Sequence, residues 1–191
     1  MLRLRTPTSH AWLAAVLGDL NAFIKDHAAN ERKASASAVQ LAVQYPDRRP
    51  LVAAMVELAR EEMEHFVRVY GVLVARDQTL APDGPDPYMS ALRQMIRKGN
   101  VMEYLLDRLL VFGIVEARSC ERFTLLAEAV PDPELRELYA DLMRAEARHH
   151  SLFVRLAHDL VSTQAVAARL NQLLDAEAII VDALPPRSAV H

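Results

Sequence analysis

The 191-residue chain has one cysteine, five glycines and only 6% aromatic residues. A lone Cys120 forms no internal disulfide and no thiolate cage, so a metal held here takes nitrogen and oxygen ligands. So little glycine beside long runs of Ala, Leu, Val and Arg, with almost no strand signal, predicts an all-α fold. No stretch approaches about 20 uninterrupted apolar residues, and the first residues lack the apolar core of a secretory signal. A soluble, cytoplasmic protein without a membrane partner is the expectation. The net charge of -3 removes any bulk electrostatic case for nucleic acid, so a polyanion partner needs a local basic patch.

What is present is apolar spacing of helical period in a chain of single-domain length, residues 1–191, with about 182–191 as a tail. From about Leu17 to Tyr45 one face carries Leu20, Phe23, Ile24, His27, Glu31, Ala34, Ala38, Leu41 and Tyr45, stopping before Pro46. From about Arg48 to Arg76, Leu51, Met55, Leu58, Glu62, His65, Val69 and Val72 alternate in steps of four and three. The stretch from Ala81 to Pro87 is a loop by its Pro and Gly, and Tyr88 to Lys98 reads as a short helix before a possible interruption at Gly99 and Asn100. A long helix from about Val101 to Val130 presents Leu109, Phe112, Glu116, Cys120, Phe123 and Ala127. Asp132 then caps a helix with Pro133 at its first position, and its seam is Leu135, Leu138, Leu142, Glu146 or Ala145, His149, Phe153 and Leu156. A last helix, from about Thr163 to Val181, is expected on the outside.

Polar residues break these seams in a repeated way. Glu31 precedes Glu62 by 31 residues and His65 follows by three; Glu116 precedes Glu146 by 30 and His149 follows by three. Residues three apart on a helix project within about 60° of one another, so each Glu-x-x-His can reach one point. Four carboxylates and two imidazoles in a dry interior are too costly to leave uncompensated, and two divalent cations supply the compensation. Oxygen-rich ligands with one imidazole per metal suit iron or manganese. A Glu on one helix and Glu-x-x-His on the next, in both halves, is the known arrangement of ferritin-like di-metal bundles. The fold class expected is therefore a ferritin-like four-helix bundle with additional short N-terminal and C-terminal helices.

The chain resembles the bacterial tRNA 2-methylthio-N6-isopentenyladenosine hydroxylases of that superfamily. The likeness runs through TPTSHAW (Thr6 to Trp12), DHAANERKAS (Asp26 to Ser35), EEMEH (Glu61 to His65), EARSCERF (Glu116 to Phe123) and EARHH (Glu146 to His150). It implies O2-dependent hydroxylation of the isopentenyl group on a modified adenosine next to the tRNA anticodon. It also implies two iron ions held by Glu31, Glu62, His65, Glu116, Glu146 and His149, with an external two-electron donor such as a reductase or a ferredoxin-like protein. The partner is the tRNA anticodon loop, and a monomer is expected. His27, one turn before Glu31, and Arg148 are candidates for supporting the ligands, while Tyr104 and Tyr139 are redox-active candidates that packing explains equally well. His150 cannot share the direction of His149 and is placed at the surface. For tRNA contact the candidates are Arg32, Lys33, Arg97, Lys98, Arg118 and Arg122, with Arg48, Arg49 and Arg93 beside them. Competing readings of the same ligands are a quinone-ring hydroxylase, a manganese catalase-like enzyme, or an iron-oxidising or storage subunit.

Overall fold

A computed structural model describes residues 3–191. Among the described residues there are seven helices and no strand: α1 (His10–Gly18), α2 (Leu20–Gln44), α3 (Arg49–Ala75), α4 (Pro87–Gln94), α5 (Val101–Ala129), α6 (Pro133–His158) and α7 (Thr163–Ala183). They fall into two compact units. One holds Ala14–Pro85 with Arg187–Val190, and the other holds Asp86–Pro186 with the N-terminal residues up to Leu13 and His191.

The first unit is a helical hairpin. The expected continuous helix from Leu17 is broken at Asp19, whose side chain leaves the helical path to accept the Ala22 N–H at 3.0 Å and cap α2. Tyr45 ends α2 before Pro46, and α3 starts with Pro50 in its first turn, where a missing N–H costs nothing. The hairpin is held at both ends: Ser35 Oγ donates to Ala59 O at 2.8 Å, and Arg76 Nε to Asn21 Oδ1 at 3.0 Å. The buried stripe of α3 ends on Leu73 rather than Val72, because a straight helix of 3.6 residues per turn drifts away from a strict 3.5 repeat. α3 closes on Asp77, at φ 53°, with Gln78 N–H reaching Leu73 O at 2.8 Å, a paired C-terminal turn in which glycine is the usual residue.

The second unit is built on the α5–α6 hairpin. Asn100 caps α5 by accepting the Glu103 N–H at 2.8 Å, so the expected interruption at Gly99 and Asn100 is a helix start. The helix before it ends at Gln94 rather than Lys98, since Arg97 turns its own N–H to Asp107 at 2.9 Å. Asp132 caps α6 as expected, accepting from Glu134 and Leu135. Phe112 meets Phe153 and Phe123 meets Tyr139 at ring separations of 5.6 and 5.5 Å. Gly113 lets the two backbones approach: a Cβ there would sit 3.4 Å from Phe153 Cβ. α7 has 21 residues, so the C-terminal addition is not short, and it packs on α4, α5 and α6. Residues 185–191 carry no helix, yet Ala189 and Val190 are buried and the His191 ring stacks on Tyr88 at 5.0 Å.

Candidate metal centre

In the first unit, α2 brings Glu31 and α3 brings Glu62 and His65 to one point, all three buried. The i, i+3 spacing on α3 aims Glu62 and His65 the same way, as the sequence predicts. His65 Nδ1 lies 3.3 Å from Glu62 Oε2 and 3.6 Å from Glu31 Oε2, and each of the three residues offers a ligand atom within 4.8 Å of the others. His27 is also buried and places Nε2 2.7 Å from Glu31 Oε1, the supporting position expected of it.

The electrostatics of this cluster suit a cation. Burial alone would raise the Glu31 carboxyl, but hydrogen bonds from His27 and His65 hold it well below the usual carboxylate range. Burial works against the charged His65 imidazole, yet Glu31 and Glu62 raise it to about 9. Two carboxylates that draw a proton onto a buried imidazole would act equally on a divalent metal, which then takes the proton's place. The donor set is therefore a fit for iron.

In the second unit, Glu116 projects from α5, half-buried, toward the buried Glu146 and His149 of α6. His149 Nδ1 is 3.8 Å from Glu146 Oε2, and Glu116 and His149 offer ligand atoms within 4.8 Å of each other. Each hairpin thus assembles two carboxylates and one imidazole, by the same construction.

The remaining candidates divide. Arg118 is fully buried: it donates to Glu177 and Glu121, to Thr8 Oγ1 and to Thr6 O, which corrects its assignment as a tRNA contact. Arg122 is also buried, its guanidinium 4.9 Å over the Trp12 ring, and burial holds it down at about 10; it too is corrected. Both arginines sit on faces of α5 that α7 and the N-terminal segment cover, and such covering is invisible to local periodicity. Arg97 is half-buried against Asp107 and Glu103. Arg32 grips Asp83 at 2.6 Å, with Lys33 3.8 Å away, and Lys98 is exposed. Arg49 and Arg93 are exposed and Arg48 is half-buried. Arg148 is exposed, turned away from the buried face that carries Glu146 and His149. His150 is not at the surface but buried, with Nδ1 2.8 Å from Gly113 O, because the glycine leaves room for a ring between the helices. Tyr104 lies beneath the Arg108 guanidinium, and Tyr139 is buried on Phe123.

Sequence reasoning missed two buried charge clusters. Glu177 of α7 receives Arg118 and the Tyr88 hydroxyl, and Asp107 of α5 receives Arg97 and Arg169. The only local signal is an acid inside an otherwise apolar stretch, as in LLDRLL around Asp107.

The geometry agrees with what is known of similar proteins. Two curated relatives, each named tRNA 2-(methylsulfanyl)-N(6)-isopentenyladenosine(37) hydroxylase, come from Pseudomonas putida and Salmonella typhimurium. The first is 36% identical over 170 residues, covering 89% of this chain and 82% of the relative; the second is 33% identical over 133 residues, covering 70% and 48%. A solved structure named Protein 43 with aldehyde deformylating oxygenase activity, from Synechococcus, is 39% identical, with a TM-score of 0.94 over 100% of this chain and 96% of that one. The all-helical architecture is ferritin-like. A family model described as tRNA-(MS[2]IO[6]A)-hydroxylase (MiaE) matches residues 2–191. With that match running through both Glu-x-x-His hairpins, the chain belongs to the tRNA-(MS[2]IO[6]A)-hydroxylase (MiaE) family.

Proposed function

We infer that this chain is an O2-dependent di-iron monooxygenase that hydroxylates the isopentenyl side chain of (2-methylthio)-N6-isopentenyladenosine next to the anticodon of tRNA. The observation that carries the reading is the family match across residues 2–191, joined to two hairpins that each present two carboxylates and an imidazole. Glu31, Glu62 and His65 would hold one share of the metal pair, and Glu116, Glu146 and His149 the other. Bound iron supplies activation of O2, using two electrons from an external reductase or ferredoxin-like donor.

The chain's own residues prepare and guard that chemistry. His65 must give up its Nδ1 proton for the nitrogen to serve as a ligand, so metal loading releases protons. His27 fixes Glu31 through the 2.7 Å hydrogen bond, which sets where that carboxylate points. Around the ligands, Phe23, Ile24, Met55 and Leu58 in one hairpin, and Leu109, Ile114, Leu142 and Phe153 in the other, are buried and exclude water. Apolar walls of this kind suit an isopentenyl group, while the base and loop remain outside. Recognition of the unpaired anticodon loop rests on stacking and backbone contacts, with exposed Lys98, Arg93 and Arg49 as available cations and Arg32 and Lys33 already turned to Asp83. The setting is cytoplasmic, and no described helix is long and apolar enough to cross a membrane.

The test is iron-loaded protein with reductant, O2 and an isopentenylated anticodon stem-loop, with Glu116→Ala as control. Wild type should add one oxygen atom to the isopentenyl group and the variant should not. Absence of product from protein carrying two irons would sink the substrate assignment. A fatty aldehyde offered in place of RNA checks the activity named for the solved Synechococcus relative.

A further inference from the structure

The face of α3 turned away from its buried seam is not polar. Val56, Val67 and Val74 are 55%, 61% and 58% exposed, and Met63 and Tyr70 are exposed beside them. With Arg60, these residues follow steps of four, three, four, three and four along α3. At 100° per residue they occupy a sector of ~80°, and at 1.5 Å per residue the stripe runs ~27 Å. Phe66 stacks on Tyr70 at 5.8 Å and widens it. Isolated exposed hydrophobics need no explanation, but a continuous stripe along one helix marks an interaction surface. The sequence-based expectation of a monomer rested on seeing no spare apolar face; the structure contains one.

We propose that this stripe docks a second copy of the chain, α3 against α3 in antiparallel register about a two-fold axis near residue 65. A two-fold interface requires a surface complementary to itself, so that each pair of residues occurs twice. This stripe meets the requirement. In that register Val56 faces Val74 of the second copy, Met63 faces Val67, and Arg60 faces the Tyr70 ring, where a guanidinium is attracted to the aromatic face. The charges along one edge agree: Glu64 falls beside Arg68 of the second copy, and Arg68 beside Glu64, while parallel pairing would align like with like. Arg60 is already oriented by Glu57 and Glu64 of its own helix, so little freedom is lost when it meets the second tyrosine. Nothing in this arrangement uses His65 or Glu62, which lie on the buried side of α3.

Sedimentation of the iron-loaded full chain from ~1 to ~100 µM tests the proposal, a range that brackets a modest helix-pair interface. Wild type should pass from monomer to dimer with rising concentration. Val67→Glu, a change at an exposed position, should stay monomeric with unchanged helical circular dichroism and iron content. Arg68→Glu should weaken dimerisation by about tenfold or more through repulsion from Glu64, and Glu64→Arg combined with Arg68→Glu should restore it. A wild-type monomer throughout the range, or a dimer indifferent to Val67→Glu, overturns the proposal; the first result leaves the stripe to a different protein. Failure of the double charge reversal to recover dimer overturns the antiparallel pairing.

Discussion

Arg118 and Glu177 form a doubly hydrogen-bonded ion pair with both side chains fully buried, Nε to Oε1 at 2.9 Å and Nη2 to Oε2 at 3.0 Å. The Tyr88 hydroxyl donates to the same carboxylate at 3.0 Å. Removing one member of such a pair leaves a charge without its counter-ion in a dry interior, at about 3–5 kcal/mol. Arg118→Met should therefore lower the urea midpoint strongly. Glu177→Gln, which keeps an acceptor for Tyr88, should cost less. Equal midpoints for Arg118→Met and wild type would show that the pair contributes nothing to folding.

Metal content should respond to the two hairpins separately. Each imidazole is the only nitrogen ligand in its half of the proposed centre, so His65→Ala and His149→Ala should each reduce bound iron and abolish hydroxylation. Iron measured per chain after dialysis, beside circular dichroism for folding, decides it. Full iron retention in both variants would remove these histidines from the ligand set.

His27 is expected to act through Glu31. Leucine at this position retains apolar bulk near Phe23 but loses the hydrogen bond to Glu31 Oε1. His27→Leu should keep the fold and weaken iron affinity by roughly 10–100-fold, the usual effect of losing a partner that orients a ligand. A competition titration with a chelator reads this directly. An unchanged iron affinity with altered thermal stability would make His27 a packing residue only.

Asp107 gives a pH dependence with a definite sign. Burial would raise its carboxyl, but Arg97 and Arg169 outweigh that and hold it below the ordinary value of 3.8. A depressed carboxylate contributes stability that is present above its unfolded-state pKa and lost as pH falls through the lower folded value. Wild type should thus lose stability as pH drops below about 4, and Asp107→Asn should be weaker at neutral pH with a flatter acid profile. Denaturant midpoints between acid and neutral pH check this; parallel profiles for the two proteins would rule it out.

Local chemistry made much of this molecule legible in advance. The seam of α6 from Leu135 to Leu156, the Asp132 cap, and the facing of Glu62 with His65 follow from helical period and from side-chain capping, and both act over a few residues. His27 is legible for the same reason, being one turn from Glu31. The break at Asp19 was not legible, since apolar residues continue on both sides of it and only the cap geometry ends the helix. The fates of Arg118, Arg122 and His150 were not legible either. Each depends on what another segment lays over it: α7 with its Glu177, the N-terminal turn with Trp12, and a glycine on the facing helix.

Sequence by itself determined an all-helical chain and the positions of two Glu and Glu-x-x-His sets, because period and spacing are properties of single helices. The tertiary structure decided which charges are spent in the interior and which apolar side chains are left outside. Arg118 is consumed by a residue 59 positions away, and the valines of α3 remain in water because their helix already fills its seam with Leu51, Met55, Leu58 and Val69. A side chain's type sets what it can do, but its burial depends on how distant segments pack around it.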